Sequence, residues 1–467
     1  MKMLRKAALI LGTAVLPLAA GAQAPALTTF AVGTTTVTTS ALATNLNTIW
    51  ELVWGPDNFI WMTERGGRIS RVNPATGQVL PLLTLGDVTQ VGESGLLGMV
   101  LHPDFATNPF VYVVYNYTDA GQLKEKLVRL TYSATANTLG APLVLLGNIP
   151  AASTHSGSRL LILPDRTLLM TTGDAQLPPE AQNRASLNGK ILRLNLDGSV
   201  PADNPTAGSR LYTLGHRNPQ GLVQLPDGRL YSSEHGPSND DEINKIEPGR
   251  NYGWPNVEGY CNLANEMAFC AANNVREPLT TWTPTIAPAG LTYSDHPAIP
   301  GWRGSLLLAV LRDSKLTQLT LNAAGTAIPT RTDFLTGVAG RLRAICVSPQ
   351  GRVYVGTSNR DGRANPAATD DRILVLENRA FVPSAARSAA TGFAFDLFPN
   401  PARRQATAHL PTANAVLTVR DLLGRTVLTL RPATATATLD LRRLRPGRYV
   451  VQAQGLTGTA TRPLVVE

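Results

Sequence analysis

Apolar residues along most of this chain fall in runs of four to six, punctuated by Gly, Pro, Asp and Asn, which is the rhythm of strands and turns. Between Thr48 and Asn378 one unit recurs: an apolar strand, a Pro-Asp or similar turn, a second β-rich strand, and a third strand opened by glycine. It is visible in Leu52-Val53-Trp54-Gly55-Pro56-Asp57 with Gly67-Arg68-Ile69-Ser70-Arg71-Val72-Asn73. It returns in Leu160-Leu161-Ile162-Leu163-Pro164-Asp165 with Gly189-Lys190-Ile191-Leu192-Arg193-Leu194-Asn195. Further copies begin near Gly98, Gly221, Gly290 and Leu342, at an uneven spacing of roughly 45–70 residues that leaves room for inserted loops. About six copies predict an all-β fold, a six-bladed β-propeller with each blade an antiparallel sheet around a central channel. One or two β-sandwiches are the competing arrangement.

The pattern changes at both ends. Residues Phe381 to Thr391 are rich in Ala, Ser and Pro and read as a linker, drawn over 379–393. Alternating strand-length runs then appear at Val419 to Val427, Leu439-Asp440-Leu441, Arg448 to Val451 and Leu464 to Val466, predicting a small C-terminal β-sandwich over 394–467. At the start, Lys2, Arg5 and Lys6 precede the apolar run Ala7 to Ala20, and Ala20-Gly21-Ala22 offers small residues for cleavage. A signal peptide over 1–22 is expected, with the propeller spanning 23–378. No other stretch is long and apolar enough to cross a bilayer, so the mature protein is expected to be exported and to lack a transmembrane segment.

Composition sharpens this only in part. Hydrophobic residues at 43% and charged ones at 16% exclude a disordered chain, and 40 Gly with 34 Pro suit a turn-rich one. The net charge of +9 is unevenly placed: from Arg379 onward there are twelve arginines, no lysine and four acidic residues, and the leader adds +3, leaving −2 for the middle. That middle does not read as a nucleic-acid surface. Cys261 and Cys270 flank a short polar loop, where either a local disulfide or two free thiols fits; Cys346 reads as a buried strand thiol.

The candidate chemistry is concentrated in Gly215-His216-Arg217-Asn218-Pro219-Gln220-Gly221, then Glu234-His235-Gly236-Pro237-Ser238-Asn239-Asp240-Asp241-Glu242-Ile243-Asn244, then Asn251-Tyr252-Gly253-Trp254-Pro255. A turn crowded with carboxylates and glycines offers oxygens to a hard cation, and an upstream arginine can grip a planar anion. In this order the segments resemble the soluble quinoprotein glucose and aldose sugar dehydrogenases, the glucose/sorbosone dehydrogenase family, over about Ile49 to Asn378. The resemblance implies pyrroloquinoline quinone (PQQ) and Ca²⁺ as cofactors, an aldose as substrate, and a quinone, cytochrome or dye as electron acceptor. It implies that His155 is the general base, a task suited to an imidazole whose ordinary pKa near ~6.5 leaves it largely neutral. It implies that Glu93, Arg217, Asn218, Arg312, Arg341 and Arg343 surround PQQ. Backbone carbonyls of Gly236 and Pro237 would hold the catalytic cation, and Glu242 with the Tyr252 carbonyl a second, structural one.

The chain departs from the glucose enzymes at four places. Arg312 stands for a pocket lysine, Thr154 for an acid beside the base, Ala175 for a polar residue and Asn262 for an acid in a calcium loop. The rival readings are a non-catalytic propeller that binds carbohydrate or protein, and a calcium-dependent propeller hydrolase or lactonase. The C-terminal pieces resemble the sorting domain of the type IX secretion system, whose machinery would then be a partner; a carbohydrate-binding or Ig-like module is the alternative.

Overall fold

The Pro-Asp turns explain why the recurring unit folds back on itself. At Asp57, Asp165 and Asp227 the carboxylate accepts a hydrogen bond from the backbone N–H two residues on, at 3.3, 2.9 and 3.1 Å. Each turn closes with a backbone bond of 2.8 Å: Gly55 to Phe59, Leu163 to Thr167 and Leu225 to Arg229. Asp in such a turn substitutes for a backbone acceptor and so fixes where one strand ends and the next begins.

The computed structural model describes residues 25–382 and 395–467, apart from 411, 412, 414, 422–424, 456 and 457. The expected signal peptide and nearly all of the expected linker lie outside the described residues. The chain divides into two units at Phe381/Val382.

Among the described residues of the first unit, antiparallel strands form six consecutive sheets. Their first strands are Ile49–Trp54, Leu96–Leu101, Gly157–Ile162, Pro219–Gln224, Pro288–Ser294 and Leu342–Val347. Each first strand touches that of the next sheet, and the sixth touches the first, so the series closes on itself as in a β-propeller. The sixth sheet is completed by the chain's N-terminal part: Thr35–Ala43 pairs with Ile373–Glu377, and Ala26–Val32 lies outside it. Sequence reading gave those two strands no role, although the β-branched run Thr34 to Thr39 marks them.

Sheets packed on both faces need continuous apolar runs, and Thr167–Thr172 and Ser305–Val310 are buried along their whole length. Between the fifth and sixth sheets, Leu307, Ala309 and Leu316 meet Leu342, Val353 and Val355 in one cluster. Cys261 and Cys270 are joined as a disulfide, and Cys346 is a buried free thiol. The second unit has two antiparallel sheets sharing a core, with Ala406, Ala408 and Leu439 from one and Leu417, Val419, Val451 and Leu464 from the other.

One buried carboxyl stands out in the second sheet. Glu125 is 2% exposed and accepts hydrogen bonds from Ser158 Oγ at 2.8 Å and Asn116 Nδ2 at 3.5 Å, while its Oε1 has no partner. Burial pushes it up to about 8 from an ordinary 4.5, against the lowering effect of the two donors. The folded protein therefore keeps a proton that the unfolded chain releases, and stability falls as pH rises from about 4.5 to about 8. Glu125→Gln keeps the acceptor for Ser158 and is expected to flatten that decline; unchanged pH dependence of the melting temperature would show that Glu125 is not its source.

Candidate functional site

The residues immediately before the first strands come together around one cavity of about 550 Å³. They are Glu93 from the second sheet, Thr154 and His155 from the third, Arg217 and Asn218 from the fourth, Thr285 and Ala287 from the fifth, and Arg341 from the sixth. Second strands run antiparallel to the first, so the segments that leave them arrive at the same place. His235, Gly236 and Pro237 follow Leu230–Glu234, Arg312 follows Ser305–Val310, and Arg363 lies beyond Val353–Thr357. Of the predicted site residues, His155, Glu93, Arg217, Asn218, Arg312, Arg341, Gly236 and Pro237 line this cavity; Arg343, Glu242 and Tyr252 do not.

His155 has φ 62°, in the left-handed region that non-glycine residues rarely occupy. It is held there from both sides: its N–H donates to Glu93 Oε2 at 3.3 Å, and its carbonyl accepts from the Ala175 N–H at 3.3 Å. The approach is so close that a Cβ on Gly173 would lie 1.8 Å from the His155 carbonyl oxygen, which requires glycine there. The imidazole Nδ1 is 2.8 Å from Asp174 Oδ1, and the side chains are 18% and 0% exposed. This leaves Nε2 as the ring nitrogen free for chemistry. The orienting acid that position 154 lacks is thus supplied by Asp174, at the far end of the adjoining strand. The departure at Thr154 concerns only the neighbour of His155 along the chain, whereas Asp174 reaches it from across the sheet.

The cavity is rich in guanidinium groups. Arg341 donates from Nε to Asp361 at 2.8 Å, Arg363 pairs with Glu93 at 3.2 Å, and Arg312 donates to Thr285 Oγ1 at 2.7 Å. Arg217 donates to the His235 carbonyl at 3.3 Å, but its buried Nε has no partner. Burial lowers Arg217 against the pull of Asp174, Glu234, Glu93 and Asp241. Burial works against the charge on Glu93, but His235 where it is protonated in acid, Arg343, Arg363 and the His155 amide outweigh it and hold the carboxyl below its ordinary range. His235, which sequence reading missed, has a buried Nε2 without a partner. Burial, reinforced by Arg343 and Arg217 and only partly offset by Glu93, pulls it to about 4, so it is neutral at neutral pH.

Arg343 lies out of the cavity, 5% exposed, donating to Gln220 Oε1 at 3.1 Å and Ser358 Oγ at 3.3 Å. Burial lowers it to about 10, which still leaves it charged at neutral pH. The alternation that places Arg341 and Arg343 on one side of the strand does not make them equivalent, because Arg341 precedes the strand and Arg343 is within it.

Gly236 and Pro237 also border a second, smaller cavity of about 20 Å³ shared with Glu242, Tyr252, Glu234 and Asp240. Glu242 accepts from Asn244 Nδ2 at 2.8 Å and the Gly259 N–H at 3.1 Å. Burial and the neighbouring Glu234 charge raise it well above the carboxylate range. Among the described residues no group of three His, Cys, Asp or Glu forms a metal cluster, so a cation here would draw much of its coordination from backbone oxygen. Two repelling buried carboxylates beside carbonyls fit a hard dication.

Residues 46–368 match the family model described as Glucose / Sorbosone dehydrogenase, and residues 396–467 match that of a secretion system C-terminal sorting domain. Quinoprotein glucose dehydrogenase B of Acinetobacter calcoaceticus is 43% identical over 250 residues, 47% of this chain; the match spans 52%, about half, of that relative's length. Aldose sugar dehydrogenase YliI of Escherichia coli is 29% identical over 343 residues, covering 70% of this chain and 91% of that one. The solved PQQ-bound aldose sugar dehydrogenase of Streptomyces coelicolor is similar with a TM-score of 0.64 and 36% identity, over 73% of this chain and 98% of that one. The apo-form of the soluble aldose sugar dehydrogenase of Escherichia coli gives 0.65 and 27%, over 73% and 100%.

The electrostatics of Glu242 lead to a stability test. A dication bound at about a hundred times its Kd stabilises a fold by about 2.7 kcal/mol, so Ca²⁺ added to chelator-treated protein is expected to raise the melting temperature. In Glu242→Gln that rise should disappear; a wild-type protein indifferent to Ca²⁺ would exclude a cation at this position.

Proposed function

The chain belongs to the glucose/sorbosone dehydrogenase family, and from that premise we propose that it is an exported quinoprotein dehydrogenase that oxidises an aldose at C1 to its lactone, with PQQ as hydride acceptor and Ca²⁺ beside it. The observation that carries this reading is an imidazole fixed by a buried carboxylate, facing a cavity that also presents Arg217, Arg312, Arg341 and Arg363. A calcium-dependent hydrolase would instead need side-chain carboxylates and amides converging on a metal in the channel. We read the six sheets as six blades and the two C-terminal sheets as a β-sandwich.

PQQ, when bound, supplies the oxidising chemistry, taking the hydrogen at C1 with its electron pair as hydride. The anomeric hydroxyl proton goes to His155 Nε2 as the C1–O bond becomes a carbonyl, and Asp174 stabilises the resulting imidazolium. Arg217, Arg341 and Arg312 would offset the three carboxylates of the cofactor, and Asn218 and Glu93 would add polar contacts. The unpartnered Arg217 Nε is a donor without an acceptor in the protein itself, as an anion site requires. Arg343, one layer deeper, adds charge from below and braces Asn218 through Gln220, whose Nε2 donates to Asn218 Oδ1 at 2.9 Å. Carbonyls of Gly236 and Pro237 would hold the cation next to the cofactor, and Glu242 with the Tyr252 carbonyl a second one. A quinone, a cytochrome or an artificial dye would serve as the final electron acceptor. The C-terminal unit would direct the protein through the type IX secretion machinery to the cell surface or beyond.

Apoprotein given PQQ and Ca²⁺ is expected to reduce a redox dye with aldoses, and His155→Ala to lose at least about a hundredfold in kcat with little change in PQQ binding. No dye reduction across a broad sugar panel would refute the dehydrogenase reading. Deleting residues 382–467 is expected to leave that activity intact while retaining the protein in the periplasm, which fractionation measures; unchanged secretion would remove the sorting role.

A further inference from the structure

Within the third segment of the sequence signature, Asn251 to Pro255, only Tyr252 has been given a task so far. The side chain that reaches furthest from it is that of Trp254. Its indole Nε1–H donates to Asp174 Oδ2 at 2.8 Å, while the other oxygen of the same carboxylate is 2.8 Å from His155 Nδ1. Asp174 is fully buried; the Gln176 N–H also donates to Oδ1 at 2.8 Å, so Trp254 supplies the hydrogen bond to Oδ2 while His155 and that amide share Oδ1. The Arg217 guanidinium carbon lies 5.4 Å from the centre of the Trp254 ring, within range of a cation–π contact. One side chain therefore touches both the acid behind the base and the arginine with an unpartnered Nε.

Trp254 is itself firmly placed. Its N–H donates to the Gly215 carbonyl at 3.1 Å, and its carbonyl accepts from Gln182 Nε2 at 2.6 Å. The Asn251 Oδ1 atom accepts from the Gly253 N–H at 2.9 Å and would lie 2.1 Å from a Cβ on Gly215, so the loop docks against a glycine with no room to shift. The loop follows the third strand of the fourth sheet, whereas Asp174 and His155 belong to the third. Trp254 thus ties two neighbouring sheets together at the site.

We propose that Trp254 is a positioning residue with two separable duties: its N–H fixes Asp174, and through it the His155 imidazole, while its ring face braces Arg217 toward the cofactor's carboxylates. The proposal rests on the dehydrogenase reading for its kinetic consequence but not for its hydrogen-bond geometry. Removing an outer partner of this kind typically costs about ten- to a hundredfold in activity. Trp254→Phe deletes the N–H and keeps an aromatic ring, so kcat is expected to fall by about that factor while PQQ affinity of the apoprotein, titrated by absorbance, stays within about twofold of wild type. Trp254→Ala deletes both, and is expected to lower kcat similarly and to weaken PQQ binding as well.

A third readout needs no turnover. In the apoprotein, the imidazole proton between His155 and Asp174 is expected downfield in the proton NMR spectrum, absent in Asp174→Asn and displaced in Trp254→Phe. If that signal and the pH profile of kcat/KM are the same in Trp254→Phe as in wild type, the positioning role is wrong even where wild type oxidises sugar. If Trp254→Phe moves the signal but wild type oxidises no aldose, the linkage stands and the dehydrogenase reading falls.

Discussion

Ring closure is the constraint from which the site follows. Six sheets can direct the beginnings of their first strands at one cavity only if the sixth is held against the first, and that seam depends on residues from both parts of the unit. Thr38 to Ala43 pair with Ile373 to Glu377, so the innermost strands of the sixth sheet are anchored through its outer ones. Because neighbouring strands are antiparallel, the start of each first strand lies beside the end of each second strand. That rule alone places His155 next to Asp174 and Asn218 next to His235, although the members of each pair are 19 and 17 residues apart. A site assembled in this way is rigid where hydrogen-bonded strands end, and it tolerates long insertions on its outer strands.

The second requirement is electrostatic. Several guanidinium groups around one cavity repel each other, and the protein offsets this with acids placed behind them: Asp361 behind Arg341, Glu93 against Arg363, Asp174 and Glu234 near Arg217. Glu93 does more than balance charge, because its second oxygen holds the N–H of the strained His155. The acids are thereby tied to backbone position, and loss of the Arg363 guanidinium would disturb the segment carrying His155 as well as the charge balance of the cavity. Neutral His235 fits the same logic, since a further positive charge among Arg343 and Arg217 would be costly.

The sequence is informative where local chemistry repeats. The Pro-Asp turns and glycine-opened strands mark the sheets, and the starts inferred near Gly98, Gly221, Gly290 and Leu342 fall within or at the head of the observed first strands. Most of the site residues were legible through one motif resemblance, since residues just before first strands also sit close to one another in the chain, as Arg217 and Asn218 do. The residues missed all follow second strands, although Gly236, Pro237 and Arg312, which also follow second strands, came with the motif resemblance. Asp174, His235 and Arg363 belong with the base and the arginines only through pairing across a sheet, which no local spacing reveals. Glu125 was hidden for a different reason: Lys124-Glu125-Lys126 looks like a solvated face, yet strand alternation turns the middle residue inward.

The same economy of charge continues in the buried residues bonded to Asn218. Arg159 of the third sheet forms an ion pair with Glu51 of the first, packs 4.3 Å over Trp50 and donates to the Gln220 carbonyl at 2.9 Å. Gln220 in turn accepts from Arg343 and donates to Asn218, whose Oδ1 accepts the Gly157 N–H at 3.0 Å. Four of the six sheets are thus joined by buried polar groups that connect to Asn218 at the cavity. Such a network costs desolvation, and an apolar plug would fill the space with less penalty. What an apolar plug cannot do is accept the Gly157 N–H, two residues from His155, on the Asn218 Oδ1 atom while keeping a guanidinium behind the cavity. The buried network therefore makes sense as part of the site, with Arg343 acting through Gln220 and Asn218 on the loop that carries His155.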